Sequence, residues 1–254
     1  MLRVHTMPAS ADLPSGVVRL EFEGSGSRPD WALWRPASRG RTCFVYIHGH
    51  GSDGRQLYHR PDVRDALLPE LGCLGWAVLT PNLRGASWMC PAAVADLDAL
   101  IDWLWREQGI ERIVLAGGSM GGSCTLIYAA LRPAAIAMCP ATDVAEFTGW
   151  CLAHEQSFVR EMGAIIRDAY GSPAALAAHV AVARASALTM PLFLAHGDAD
   201  VLVPVEHSRK LAAAMARYHS QPAFTYVEVP GGDHEAALPY FTQALQWVCR
   251  QIGE

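Results

Sequence analysis

No apolar run in this 254-residue chain approaches the ~18 residues that a membrane-spanning helix requires. The opening stretch, Met1-Leu2-Arg3-Val4-His5-Thr6-Met7-Pro8, lacks the apolar core of a secretory signal. Cysteine is sparse and odd in number, seven in all, with no C-x-x-C pair, which argues against a disulfide framework and a zinc ribbon. Cys43, Cys124, Cys139 and Cys249 lie inside apolar segments, the setting of buried free thiols, and a cytoplasmic location is the expectation. Lysine and arginine are scattered and the formal net charge is −5, so the electrostatic footprint of a nucleic-acid binder is missing. Internal repeats, low-complexity tracts and linkers are also missing, and nothing specifies an oligomeric state. What is present is apolar substance: 51% hydrophobic residues against 18% charged, enough to bury a large core. The length suits one α/β domain spanning 1–254.

Two N-terminal runs, 17–23 and 31–35, alternate like half-exposed strands, with the Gly/Ser-rich 24–28 between them as a hairpin connection. Short apolar runs then follow at 42–47, 76–80, 112–116, 134–138, 192–195 and 224–229. Helical patterns separate them. One opens at Pro91 with Val94, Leu97, Ile101 and Leu104 on one face and Asp96, Asp98 and Asp102 elsewhere; the last carries Phe241, Leu245, Val248 and Ile252. Buried strands alternating with helices predict an α/β fold, a mostly parallel central sheet covered on both faces. About fifty residues separate Cys139 from Leu192, more than one crossover needs. Their apolar residues, Phe147, Trp150, Phe158, Met162, Ile165 and Ile166, recur at helical spacing. They predict a helical insertion over 140–190, after the sixth core strand region, acting as a lid over a cleft.

The chemistry starts at Gly117-Gly118-Ser119-Met120-Gly121, a G-x-S-x-G run between a predicted strand and a helix-like run at 124–131. A strand turning sharply into a helix strains the residue at its apex, and flanking glycines leave room for that approach. Ser119 would thereby present its hydroxyl to a cleft. A serine hydroxyl needs a base, and the base needs an orienting carboxylate. His234 follows the last predicted strand on a glycine loop, at the sheet edge where open α/β sheets place their sites. The loop after the preceding strand offers two aspartates, Asp198 and Asp200. The chain must turn back before it reaches the histidine, which favours Asp200 and leaves the other to brace the turn.

With the order Ser, Asp, His in place, the chain resembles the α/β-hydrolase superfamily, in its esterase and prolyl-oligopeptidase-like (S9-type) branch. Residues 196–204 resemble the H-G-x-x-D-x-x-V-P acid loop, whose acid falls on Asp200, and the family pattern also places the base on His234. His48-Gly49-His50-Gly51 resembles the H-G-x-G loop, in which the amide at x, here His50, points into the site. That resemblance implies an oxyanion hole of the Met120 and His50 backbone amides. Pro81-Asn82-Leu83-Arg84-Gly85 resembles the P-x-x-R-G segment, with Arg84 as a structural brace. His48 and His50 also form an H-x-H pair of metal-ligand spacing. The run offers no obvious carboxylate or third histidine, and the oxyanion reading accounts for the glycines as well.

The expected activity is therefore a serine hydrolase cleaving small-molecule carboxylic esters, with no metal or organic cofactor. Trp88, Phe147 and Trp150 are candidates for the substrate pocket, together with Phe158 as an apolar cover. Short acyl chains are the expected preference. A prolyl-oligopeptidase-like peptidase would use the same residues; such enzymes usually carry an N-terminal propeller, for which the forty or so residues before the sheet core leave no room. Dienelactone hydrolases place cysteine where this chain has Ser119. A non-catalytic binding protein on the same scaffold is the reading from another class, and it would be signalled by a missing member of the triad.

Overall fold

The structure, a computed structural model, describes residues 2–8, 10–131, 135–218 and 224–254. Among them, nine strands make one sheet: β1 (Val4–Pro8), β2 (Val18–Glu23), β3 (Pro29–Arg35), β4 (Thr42–Ile47), β5 (Ala77–Pro81), β6 (Arg112–Gly118), β7 (Ala135–Met138), β8 (Leu192–Gly197) and β9 (Phe224–Val229), in the spatial order β1-β2-β3-β5-β4-β6-β7-β8-β9. The first three strands meander antiparallel, and β3 pairs antiparallel with β5. From β5 to β9 every pairing is parallel. The predicted strand at 134–138 begins one residue outside the described set.

The helices are α1 (Gln56–His59), α2 (Pro61–Leu74), α3 (Pro91–Glu107), α4 (Met120–Leu131), α5 (Val144–Leu152), α6 (Ser157–Tyr170), α7 (Pro173–Ala177), α8 (Glu206–Tyr218) and α9 (Phe241–Ile252). Two apolar clusters flank the sheet because successive strand residues point to opposite faces. Cys43, Val45 and Ile47 of β4 join α3, α4, α5 and α8 on one side, whereas Phe44 and Tyr46 join α1, α2 and α9 on the other. No helix of the described residues is long and apolar enough to cross a membrane.

Three features depart from the expectation. β1 is an edge strand whose residues beyond Val4 are exposed; with no buried face it leaves no alternating pattern to read. The helical insertion consequently follows the seventh strand. It consists of α5, α6, α7 and a 3-10 turn at Val182–Ala187. Asp143 caps α5 by accepting the Glu146 amide at 2.8 Å, and Ser172 caps α7 through the Ala175 amide at 3.2 Å. Finally, Asp96 lies on the buried side of α3. It accepts from the Arg84 guanidinium and the Ser25 amide, and the Arg84 amide donates to Asp30 at 2.7 Å. Arg84 thus braces the loop after β5 against α3 and β3, and a carboxylate with charged and backbone partners is tolerated inside.

Candidate active site

The parallel register brings four loops to one sheet edge: those after β4, β6, β8 and β9. Ser119 stands between β6 and α4 at φ 56°, the left-handed region that a non-glycine residue occupies only when its surroundings hold it there. The clamp is close. A Cβ on Gly121 would fall 2.0 Å from the Ile47 carbonyl oxygen, so α4 packs directly on the end of β4. The Ser119 amide donates to the Met138 carbonyl at 2.9 Å. One turn on, the Ser123 hydroxyl donates to the Ser119 carbonyl at 3.2 Å and accepts the Ala141 amide at 2.8 Å.

The loops after β8 and β9 are locked together in the same way. A Cβ on Gly197 would lie 2.3 Å from the Asp233 and Gly232 carbonyl oxygens. Ala199 donates its amide to the Gly232 carbonyl at 2.8 Å, and Asp198 accepts the Gly231 amide at 2.6 Å. Asp198 is therefore tied to the turn and Asp200 is directed inward. Asp200 Oδ2 lies 2.7 Å from His234 Nδ1, and His234 Nε2 lies 2.9 Å from Ser119 Oγ. A carboxylate only accepts, so Nδ1 carries the ring proton and Nε2 of the neutral ring accepts from the serine. The order serine, imidazole, carboxylate is the one in which a hydroxyl can be deprotonated as it attacks.

Asp200 has further partners that the sequence reading did not assign. Its Oδ1 accepts the Leu202 and Val203 amides at 2.8 and 2.9 Å. His196 Nε2 lies 3.0 Å from Asp200 Oδ2 and 2.9 Å from the Val203 carbonyl, and its Nδ1 lies 2.7 Å from the Ser208 hydroxyl. Both neighbours of Nε2 are acceptors, so that nitrogen is the donor and Ser208 donates to Nδ1. Burial alone would raise the Asp200 carboxyl, but the hydrogen bonds from His196 and His234, and the attraction of the imidazolium form of His234, hold it well below the usual carboxylate range. The i, i+4 spacing of His196 and Asp200 was visible in the sequence; nothing there indicated that the ring would point at the acid.

Met120 follows the serine directly in the chain, and His50, on the loop after β4, lines the same cleft as Ser119. Met120 is the first residue of α4, where a helix has no internal acceptor for its amide. The loop bearing His50 is held by Gln56, whose Oε1 accepts the Gly49 amide at 2.9 Å and the Tyr46 hydroxyl at 3.1 Å. Gln56 is a buried positioning residue absent from the sequence reading. His48 has a carbonyl oxygen 2.9 Å from each ring nitrogen, those of Gly49 and Asn82, so both of its nitrogens face backbone acceptors. Among the described residues, one group of three possible metal ligands lies within 4.8 Å, namely Cys139, Asp200 and His234. Burial and the nearby Asp200 push the Cys139 thiol far up, which keeps it protonated rather than a thiolate ligand.

The cleft beside Ser119 encloses about 350 Å³. Its apolar wall comes from Phe158, Met162 and Ile165 of α6, with Leu202, Val203 and Leu238. Phe158 was expected there; Trp88, Phe147 and Trp150 do not line it. Trp88 and Phe147 are fully buried and stack in sequence with Trp150, at centroid distances of 5.5 and 5.6 Å. Their size and apolarity drew them into the core that joins α5 to the sheet, while α6 turned its next face to the cleft. Trp88 still touches the site indirectly, donating its indole N–H to His50 Nδ1 at 3.3 Å.

A sequence model of the prolyl oligopeptidase family matches residues 91–253. Among solved structures, Est1E from Butyrivibrio proteoclasticus superposes with a TM-score of 0.64 at 18% identity, covering 99% of each chain. An acetyl xylan esterase from Paenibacillus sp. R4 gives 0.67 at 15% identity, covering 98% of this chain and 88% of that one. A puromycin-hydrolyzing peptidase from Mycobacterium tuberculosis gives 0.64 at 20% identity, over 96% of this chain and 38% of that one. At such identities the likeness speaks for the fold, the one that esterases and a peptidase share. The family match runs from the first residue of α3 to the end of α9, across the elbow and both loops that meet it, and on that extent the chain belongs to the prolyl oligopeptidase family of serine hydrolases, within the α/β-hydrolase superfamily.

Proposed function

We propose that this protein hydrolyses carboxylic esters with short acyl groups through a covalent acyl-enzyme. Ser119 Oγ attacks the acyl carbon while His234 Nε2 takes its proton; Asp200 holds the ring in that tautomer and stabilises the imidazolium. The carbonyl oxygen, now an oxyanion, is received by the Met120 and His50 amides. The C–O bond to the alcohol breaks as His234 returns the proton to the leaving oxygen. Water then attacks the acyl-enzyme with His234 as base, and the acid departs as Ser119 regains its proton. The observation that carries this reading is the unbroken hydrogen-bond chain from Ser119 through His234 to Asp200.

Short acyl groups suit a cleft of about 350 Å³, the low end of small-molecule sites. Similar structures include proteins named as esterases, the acetyl xylan esterase and one from Pyrococcus furiosus, which supports ester over amide. Peptidase chemistry with the same residues is the second reading, favoured by the family match and by the puromycin-hydrolyzing neighbour. The test pairs a fluorophosphonate probe with nitrophenyl esters from acetyl to decanoyl and with aminoacyl nitroanilides. Labelling at Ser119, and ester rates that fall beyond butyryl, are expected. An unlabelled Ser119 in folded protein overturns the mechanism; nitroanilides turned over faster than esters replace the ester reading with the peptidase one.

A further inference from the structure

The two ends of the cleft differ in character. One is the apolar wall of α6. The other opens past His50, Gln56 and Arg60 into a second depression, lined in addition by Ser52, Asp53, Arg55 and His59. Every cation there is matched. Arg55 Nε lies 3.1 and 3.0 Å from the Asp53 oxygens, Arg60 binds Asp62 at 2.8 Å and Glu235 at 2.6 Å, and His59 Nε2 lies 2.9 Å from Asp12. The depression thus offers donors and acceptors side by side, with the carboxylates of Asp12, Asp53, Asp62 and Glu235 outnumbering the two guanidinium groups. An anionic ligand would have to displace carboxylates already in place. An alkyl group would strip water from paired ions and return no hydrogen bond. A hydroxyl, which donates and accepts at once, satisfies both kinds of edge.

His50 sits on the boundary between the two spaces. The Trp88 indole can only donate, so His50 Nδ1 accepts and the neutral ring carries its proton on Nε2. Burial, reinforced by His48, holds the pKa of this ring down, so it stays neutral. Nε2 has no protein partner among the described residues and remains a donor at the junction, beside the nucleophile.

We propose that this depression binds the alcohol portion of the substrate, and that this portion is polyhydroxylated, as a monosaccharide is. The acyl group then lies along α6, and the sugar hydroxyls meet His50 Nε2–H and the Asp53–Arg55 pair. This rests on the ester-hydrolase reading above. The test compares two butyrate esters, butyryl methyl glucoside and ethyl butyrate, on the whole protein. The wild type should favour the glucoside at least about tenfold in kcat/KM, through a lower KM, as one or two hydrogen bonds to charged groups provide. Arg55→Ala and Asp53→Asn should each reduce that ratio by about tenfold. A wild-type ratio near one, or equal losses on both esters in both variants, overturns the proposal. If neither ester is hydrolysed, it is the ester-hydrolase reading that fails, and this inference with it.

Discussion

Ser119 and Phe158 border the same cleft from elements held in very different ways. Around Ser119 the backbone is over-determined: the φ of 56°, the Ile47 carbonyl pressed against Gly121 and the bond to Met138 leave it one position. Phe158, on α6, is 53% exposed, and Ile165 on the same face is 40% exposed. Their helix is anchored by the adjacent face, through Val159, Gly163, Ile166 and Tyr170. The Tyr170 hydroxyl donates to the Trp88 carbonyl at 2.8 Å. Bond-making groups need placement within a fraction of an ångström; groups that only exclude water and fill space do not. On the proposed mechanism, chemistry belongs to the clamped loop and selectivity to the helix that can be repainted without moving.

The sharpest way to break that assignment is Ser119→Ala, which should lower ester turnover by roughly 10⁴- to 10⁶-fold with the fold intact. Adding His234→Ala should cost little more, because the two act as one unit; additive losses in steady-state rates would show that they work apart. Asp200→Asn should come next, at about 10⁴-fold, since an amide favours the wrong imidazole tautomer. Asp198→Asn should leave rates near wild type and act on stability through the turn. Asp200 carries a pH signature as well. Its folded pKa is depressed below the ordinary value of 3.8, so its stabilisation is present above that value and is lost as pH falls below it. The difference in Tm between wild type and Asp200→Asn should therefore narrow between pH 7 and pH 3.

Gly121→Ala tests the clamp itself. Its Cβ has no space, and denaturant unfolding should show a loss of about 3 kcal/mol or more. A mild loss with full activity would mean that the elbow is less constrained than its contacts indicate. Phe158→Ala, the smallest change, should alter unfolding free energy by about 0.5 kcal/mol. It should shift the preferred acyl length by one or two methylenes, each about 0.8 kcal/mol of binding. If Phe158→Ala instead abolished turnover across the ester panel, α6 would have to be counted with the chemistry.

How far the site was legible follows the range of the forces involved. The Ser119 turn is written in five consecutive residues, because its glycines answer to contacts within one strand–helix junction. Asp198 and Asp200 were separable by the need of the loop to turn back and by the resemblance of 196–204 to the acid-loop pattern; the Gly231 amide on Asp198 is a contact across 33 residues that no local pattern carries. Trp88 and Phe147 misled for the same reason. Aromatic residues near a cleft in sequence are equally at home in the core behind it, and the packing of α5 decided. His196 and Gln56 act by where their side chains point, and the burial of Asp96, placed off the apolar face of its helix by the periodicity, follows from a partner, Arg84, that arrives from another loop.

From the sequence alone came the alternation of strands and helices, the parallel core and the identity of the residues able to do nucleophilic chemistry, since period, turn residues and functional groups are local properties of the chain. Tertiary structure alone decided which of those groups meet, which nitrogen of His50, His196 and His234 carries its proton, and which aromatic residues border the cleft. Those outcomes depend on distances between loops far apart in sequence, set by strand register and by the shapes that fill the core.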